Sequence, residues 1–203
     1  MDQNILFLFL LSSISLTIFP GPDLMYVIST SLSQGWRKGL ILSLGLCSGL
    51  IVHTLVVIFG LGTILEDNPE TARIIELFGA LYLLFIAYRL LRNNRNKKLT
   101  SSKKKFSENV FLTGFLMNLT NPKVSLFFIS FFPGFIFSLT LSLKTQFAIL
   151  GSLFIIQALI IFFIVSFISY HFGKRIKIIS QHNIWNRIQA SILFLIAVFL
   201  LYP

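Results

Sequence analysis

Apolar residues fall into six long runs separated by short polar connections, and this alternation sets the secondary structure. The runs cover about Ile5 to Ser33, Leu40 to Leu61, Thr71 to Leu91, Val110 to Phe132, Thr145 to Phe172 and Trp185 to Tyr202. Each is near the ~20 residues a helix needs to cross a hydrocarbon layer. The pattern predicts an all-α, polytopic membrane protein with six transmembrane helices in one domain over residues 1–203. The first run is too long for one straight span, as an interrupted helix would be. The chain opens Met-Asp-Gln-Asn without the positive region or cleavage pattern of a secretory signal, so this segment is expected to remain as the first span.

Two runs are broken from within, the first at Phe19-Pro20-Gly21-Pro22-Asp23 and the fourth at Asn121-Pro122-Lys123. A proline removes an N–H and frees the carbonyl four residues earlier, here those of Leu16, Ile18 and Asn118. At membrane depth, broken backbone is tolerated only where protein buries it or a wet cavity lines it, and an ionisable side chain there marks a functional site by default. Asp23 and Lys123 are such side chains, with opposite charges. A mid-membrane charge costs ~2.5 to 3.5 kcal/mol on insertion scales, so the two coexist most cheaply facing each other or water. Both sit in the first turn of a resumed helix, whose dipole favours the carboxylate and disfavours the ammonium. Two readings follow. Either a permanent Asp23 to Lys123 ion pair ties the halves together, or the pair opens to admit a zwitterion. In the second case the guest's carboxylate meets Lys123 and helix N–H groups, and its ammonium meets Asp23 and the freed carbonyls.

Composition agrees with a membrane chain: 55% of residues are hydrophobic and 12% charged, and the mean hydropathy is +0.84. The net charge of +10 does not point to nucleic acid, because the basic residues lie between the apolar runs. Of 17 Lys and Arg, 14 fall in the first, third and fifth connections: Arg37 and Lys38, the cluster from Arg89 to Lys105, and Lys174 to Arg187. The opposite side carries only Arg73 and Lys144. Basic connections stay in the cytoplasm, so both termini are expected outside it. The basic stretch 92–107 is read as a topology signal and flexible linker rather than a lipid-headgroup site.

That linker divides the chain into residues 1–91 and 108–203, each with three spans. An odd number of spans forces the halves to insert with opposite polarity, which predicts two inverted three-helix repeats with broken first and fourth helices. Pro22 aligns with Pro122 and Asp23 with Lys123. More weakly, Phe85-Ile86-Ala87 aligns with Leu195-Ile196-Ala197. Inverted repeats with broken helices around a midplane site are a secondary-transporter pattern.

Further candidates surround the breaks. Gly45, Gly49 and His53 recur every four residues on one face of the second helix; the glycines permit close helix approach, and the histidine suits a buried hydrogen bond or proton handling. Asn118 and Asn121 bracket the second break, where they can satisfy freed backbone or touch a guest. Tyr26, Tyr82 and Gln157 are lesser cavity candidates. Cys47 stands alone, which excludes an intramolecular disulfide, a dithiol pair or a thiolate metal site within one chain. With no nucleophile and base pairing, no metal-ligand cluster and no nucleotide-binding loop, a membrane enzyme, a redox carrier and a metal exporter are the weaker alternatives, and a channel the nearer one. No cofactor is expected.

Taken in order, these pieces resemble the lysine exporter / homoserine-threonine resistance (LysE/RhtB) translocators. The likeness rests on Phe19-Pro20-Gly21-Pro22, Gly35-Trp36-Arg37-Lys38-Gly39, Gly45 with Gly49 and His53, and Gly79-Ala80-Leu81-Tyr82-Leu83. Gly114 with Asn118, Asn121-Pro122-Lys123 and Pro133 extend it. It covers most of the chain and is thinnest over the last two spans and the linker. The resemblance implies a bacterial inner-membrane exporter of amino acids or small derivatives with six spans, driven by the proton motive force, and leaves room for a homodimer. On that reading Pro20, Gly21, Pro22, Asp23, Tyr26, His53, Asn118, Asn121, Pro122 and Lys123 are the binding or coupling residues, and protons, lipid and a small zwitterion are the partners.

Overall fold

Helix boundaries fall where the sequence supplies caps. The computed structural model describes residues 2–18, 21–68, 70–92 and 109–173, with isolated helical positions between 187 and 201. Expectations for Phe19, Pro20, the basic linker and most of the last run, Trp185 to Tyr202, lie outside the described residues. Asp2 accepts the N–H of Asn4 at 2.9 Å and opens α1, Gln3–Ile18. α2, Pro22–Gln34, starts on Pro22, whose missing N–H would have gone unused in a first turn. It ends at Gly35, where φ is 92° and the N–H returns to the Ser31 carbonyl, a conformation glycine adopts without strain.

α3, Trp36–Val56, continues through a π-helical turn, Val57–Leu61, into α4, Gly62–Asp67, giving one helical stretch of 32 residues. α5 is Glu70–Arg92, α6 Val110–Leu119, α7 Pro122–Phe131 and α8 Leu143–Phe172. Side-chain oxygens of Asn109, Asn121 and Ser142 cap α6, α7 and α8 by accepting N–H groups of the first turn. The described residues contain no strand, so the all-helical class is as the sequence predicts.

Two continuous helical stretches, Trp36–Asp67 and Leu143–Phe172, are long and apolar enough to cross a membrane. α1 and α2 meet the same test only when taken together, as one span bent by 54° at its break. The surface supports a lipid setting: Ile41, Leu44, Ile51, Leu55 and Phe59 of the α3 stretch and Ile156, Ile160, Phe163 and Ile164 of α8 face outward. Ser13, Ser31, Ser43, His53, Asn118, Gln157 and Ser166 are buried instead. This reverses the arrangement water selects.

The two ends of the helix bundle differ. At one, Gly35 lies beside Tyr170, and Ser31 and Ser166 share a hydrogen bond of 2.8 Å above Gly39. The first turn of α3, with Arg37 and Lys38, thus lies at the same end as the last turn of α8. At the other end Glu66 pairs with Lys144 at 3.1 Å, and the Asp2 N–H reaches the Phe137 carbonyl at 2.9 Å. Gln146, 1% exposed, ties the loop there, accepting from the N–H groups of Phe137 and Ser138 and donating to the carbonyls of Ser138 and Leu141. Phe9, Phe128, Phe131, Phe132, Phe135 and Phe147 fill the space beneath it, all fully buried.

α3 and α6 make the closest crossing, through reciprocal glycines. A Cβ on Gly45 would strike the Phe111 carbonyl, and one on Gly114 would strike the Leu42 carbonyl. One turn on, Gly49 leaves room for the Asn118 side chain. Gly45→Leu or Gly114→Leu should therefore destabilise the protein by at least the ~1 to 3 kcal/mol of an overpacked core. Gly60→Ala, where nothing lies within 4 Å, should be silent. Thermal unfolding of the purified variants in one detergent checks both expectations.

Candidate functional site

The chain breaks bring four helix ends to one pocket. The last turn of α1 contributes Leu16 and Thr17; the start of α2 contributes Gly21, Asp23 and Leu24. α6 ends there at Asn118, and α7 begins with Asn121, Lys123 and Val124. Leu50 of α3 and Phe154, Ala158 and Phe162 of α8 form the apolar wall. From this pocket α2 runs to the Gly35 end of the bundle and α7 toward the Phe135 end, so two helix N-termini meet across one space.

Asn121 organises the polar contacts. Its Oδ1 accepts the Lys123 N–H at 3.1 Å, capping α7, while its Nδ2 donates to Asp23 Oδ2 at 2.9 Å. The Lys123 ammonium donates to the Leu16 carbonyl at 3.1 Å. This is one of the carbonyls that proline frees. The Asn118 carbonyl, freed by Pro122, receives the Asn121 N–H at 3.0 Å and faces His53 Nε2 at 3.4 Å. No ion pair within 4 Å joins Asp23 and Lys123. The permanent pair of the first reading is not formed here: an amide holds the carboxylate and a backbone carbonyl holds the ammonium.

The candidates divide accordingly. Gly21, Asp23, Asn118, Asn121 and Lys123 line the pocket, and Pro22 and Pro122 start the helices that aim into it. His53 lies behind it, against Asn118, with its ring 5.7 Å from that of Phe128. Tyr26 packs half-buried against the core and is not among the lining residues. Pro20 lies outside the described residues. Sequence reasoning gave Gln157 little weight, yet its Nε2 donates to Thr17 Oγ1 at 3.0 Å and approaches the Ser13 carbonyl at 3.5 Å. An amide in the middle of an apolar run was the signal for it. Among the described residues no group of three or more His, Cys, Asp and Glu could hold a metal. The pocket's free volume is about 30 Å³. Ligand pockets begin near ~300 Å³, so the pocket as it stands is too small to hold an amino acid.

The model of one protein family, the LysE type translocators, matches residues 14–203. The chain belongs to that family. It is therefore a membrane translocator rather than an enzyme. The translocator is 27% identical over 188 residues to the uncharacterized membrane protein YrhP of Bacillus subtilis (strain 168), covering 88% of this chain and 89% of that one. It is 28% identical over 131 residues to the leucine efflux protein of Salmonella choleraesuis (strain SC-B67), covering 63% and 61%. The leucine efflux protein of Salmonella paratyphi A (strain ATCC 9150 / SARB42) matches to the same extent. No solved structure matches the translocator.

The double duty of Asn121 can be split by substitution. Asn121→Leu removes both the α7 cap and the donor to Asp23, and should cost about 1 to 3 kcal/mol. Asn121→Asp keeps a capping oxygen but sets a second carboxylate against Asp23. It should retain most of the α7 helix while losing transport. Circular dichroism melting alongside flux in proteoliposomes tests the pair.

Proposed function

We propose that this translocator exports amino acids or small amino-acid derivatives across the bacterial inner membrane as a proton-coupled secondary transporter. The observation that carries the reading is the meeting of two helix N-termini at one small pocket holding Asp23, Asn121 and Lys123. Both helix ends are electropositive, and the Lys123 ammonium rests on a neutral carbonyl. The local charge therefore favours an incoming carboxylate at Lys123 and the first N–H groups of α2 and α7. Asp23, bonded through one oxygen, offers the other to the guest's ammonium. Similarity to leucine efflux proteins supports an amino acid as cargo and export as the direction.

In this reading the chain has six spans in two inverted repeats, 1–91 and 108–203. The opposed courses of α2 and α7 from a shared pocket support the inversion. The distribution of Lys and Arg supports termini outside the cytoplasm. Without a nucleotide-binding motif, export draws on an ion gradient, and protons carried by Asp23 or His53 fit the residues present. A homodimer is compatible with the outward-facing apolar surface.

Fusing a periplasm-specific and a cytoplasm-specific reporter to Pro203 tests the orientation. Activity of the periplasmic reporter alone is expected, and activity of the cytoplasmic one alone would reverse the topology. Transport is tested in inside-out vesicles, where amino-acid uptake should collapse with an uncoupler and accelerate when unlabelled amino acid is placed on the far side. Lys123→Gln should lower that uptake at least tenfold if the ammonium binds the carboxylate, since a hydrogen bond to a charged group contributes about 1.5 to 3 kcal/mol. Native-rate export by Lys123→Gln would remove Lys123 from the site.

A further inference from the structure

Away from the pocket at the helix breaks, the described residues hold a second cavity, on the outer face of the bundle between the last turns of α5 and the last run. Its volume is about 410 Å³, within the ~300 to 1,000 Å³ of sites that hold a small molecule. The floor is Ala87 and Ala190, both buried, whose small side chains let the two segments approach closely. Tyr88, Leu91 and Phe194 stand along the rims, each more than half exposed, so the space is an open groove.

The groove lies toward one end of the bundle. The start of α5 meets the end of the last run, where the Arg73 guanidinium donates to the Leu201 carbonyl at 2.8 Å, and the end of α5 meets the run's beginning at the groove. α5 sets out from the Glu66 end and passes Ser130 of α7 at Gly79. Its 23 residues, about 35 Å of helix, carry it toward the end that holds Arg37 and Lys38.

At that end of the groove sits a cation. Arg92 Nη1 donates to the Tyr88 hydroxyl at 3.4 Å, and the guanidinium lies 6.0 Å from the centre of the Tyr88 ring. Among the described residues no carboxylate lies within 4 Å of it. A guanidinium presents five N–H donors in a planar fork that matches a phosphate, and Tyr88 takes one of them. A tyrosine at the mouth of an apolar slot is the amphipathic ring favoured where acyl chain gives way to headgroup.

We infer that this groove is a site for an anionic phospholipid, one acyl chain lying in the slot over Ala87 and Ala190 and the phosphate resting on Arg92 beside Tyr88. The site is independent of what the translocator carries. Composition alone gives the basic stretch 92–107 no ligand; the groove beside its first residue supplies the seat that an apolar chain needs. Basic pockets between membrane helices on the cytoplasmic side hold anionic headgroups for this reason. A second copy of the chain fits the charge less well. A symmetric contact on this face would set Arg92 and its basic connection against their own copies, and like charges brought together weaken an interface.

The test holds the full chain in a mild detergent with equimolar phosphatidylglycerol and phosphatidylcholine of identical acyl chains, and native mass spectrometry reads which lipid stays bound. The native protein should retain phosphatidylglycerol over phosphatidylcholine by at least about fivefold, the effect of one arginine near an anionic surface. Arg92→Gln, a change at an exposed side chain, should lower that ratio about fivefold. Lys104→Gln, further along the same basic stretch, should leave it in place. Ser191→Phe, which fills the slot from an exposed position, should lower retention of both lipids. Equal retention of the two lipids by the native protein would overturn the site, a result that needs no variant. So would a native ratio in Arg92→Gln, or a ratio lowered equally by Arg92→Gln and Lys104→Gln, the mark of diffuse attraction to the basic stretch. A native dimer that Ser191→Phe splits, with lipid retention unchanged, would give the groove to a second copy instead.

Discussion

A backbone carbonyl freed inside a hydrocarbon layer must find a donor, and much of this molecule is arranged to supply two of them. Left unpartnered, each such group costs several kcal/mol at that depth. The Leu16 carbonyl takes the Lys123 ammonium and the Asn118 carbonyl takes the Asn121 N–H, with His53 alongside. Both donors come from the second break or just beyond it. The first interruption is thus tolerable because the second exists: the first offers an acceptor, and the second answers with a charged donor. The charge that looked most expensive in the sequence meets a hydrogen-bonding need.

That dependence explains why the surrounding helices pack so tightly. Asn118 can face the pocket only if α6 lies close against α3, and the crossing at Gly45 and Gly114 brings it there, with Gly49 clearing the last ångströms. On either side of the pocket the seals differ in kind. Toward the Gly35 end the helices close through Gly39, Ser31 and Ser166, which are small and hydrogen-bonded. Toward the other end they close through stacked and edge-on phenylalanines beneath the Gln146 loop, with Phe128 and Phe132 4.7 Å apart. Small polar contacts exchange at low cost, whereas a packed aromatic layer resists partial displacement.

The helix breaks were readable because proline chemistry is local: Pro20, Pro22 and Pro122 name the carbonyls they free without any knowledge of the fold. The stripe of Gly45, Gly49 and His53 was readable for the same reason, since a four-residue spacing fixes a face. What a sequence does not contain is the identity of a distant donor. Both charges were legible as a problem, but the structure solves it by giving Asp23 to Asn121 and Lys123 to Leu16. Gln157 was visible as an amide among apolar residues, yet its link to Thr17 spans most of the chain and depends on how α1 leans on α8. Gln146 gave no clue to its loop-holding role, because an amide at a helix start is ordinary on any surface.

The π-helical turn at Val57–Leu61 bears on how the chain tolerates changes in length. Such a turn holds one residue more than the α-helix it replaces. Because the wider turn takes up that residue, the helix on either side keeps nearly the phase of an uninterrupted α-helix, whereas a residue lost from regular α-helix turns everything after it by about 100°. A single-residue deletion within Val57–Leu61 would therefore leave an α-helical turn with both ends in place: α3 keeps its glycine face on α6, and α4 keeps Leu65 buried and Glu66 on Lys144. The same deletion between Gly49 and His53 would set His53 off the face it shares with Gly45 and Gly49, and so off the Asn118 carbonyl. The extra residue is a place where this rod can change length without changing which side chains it presents.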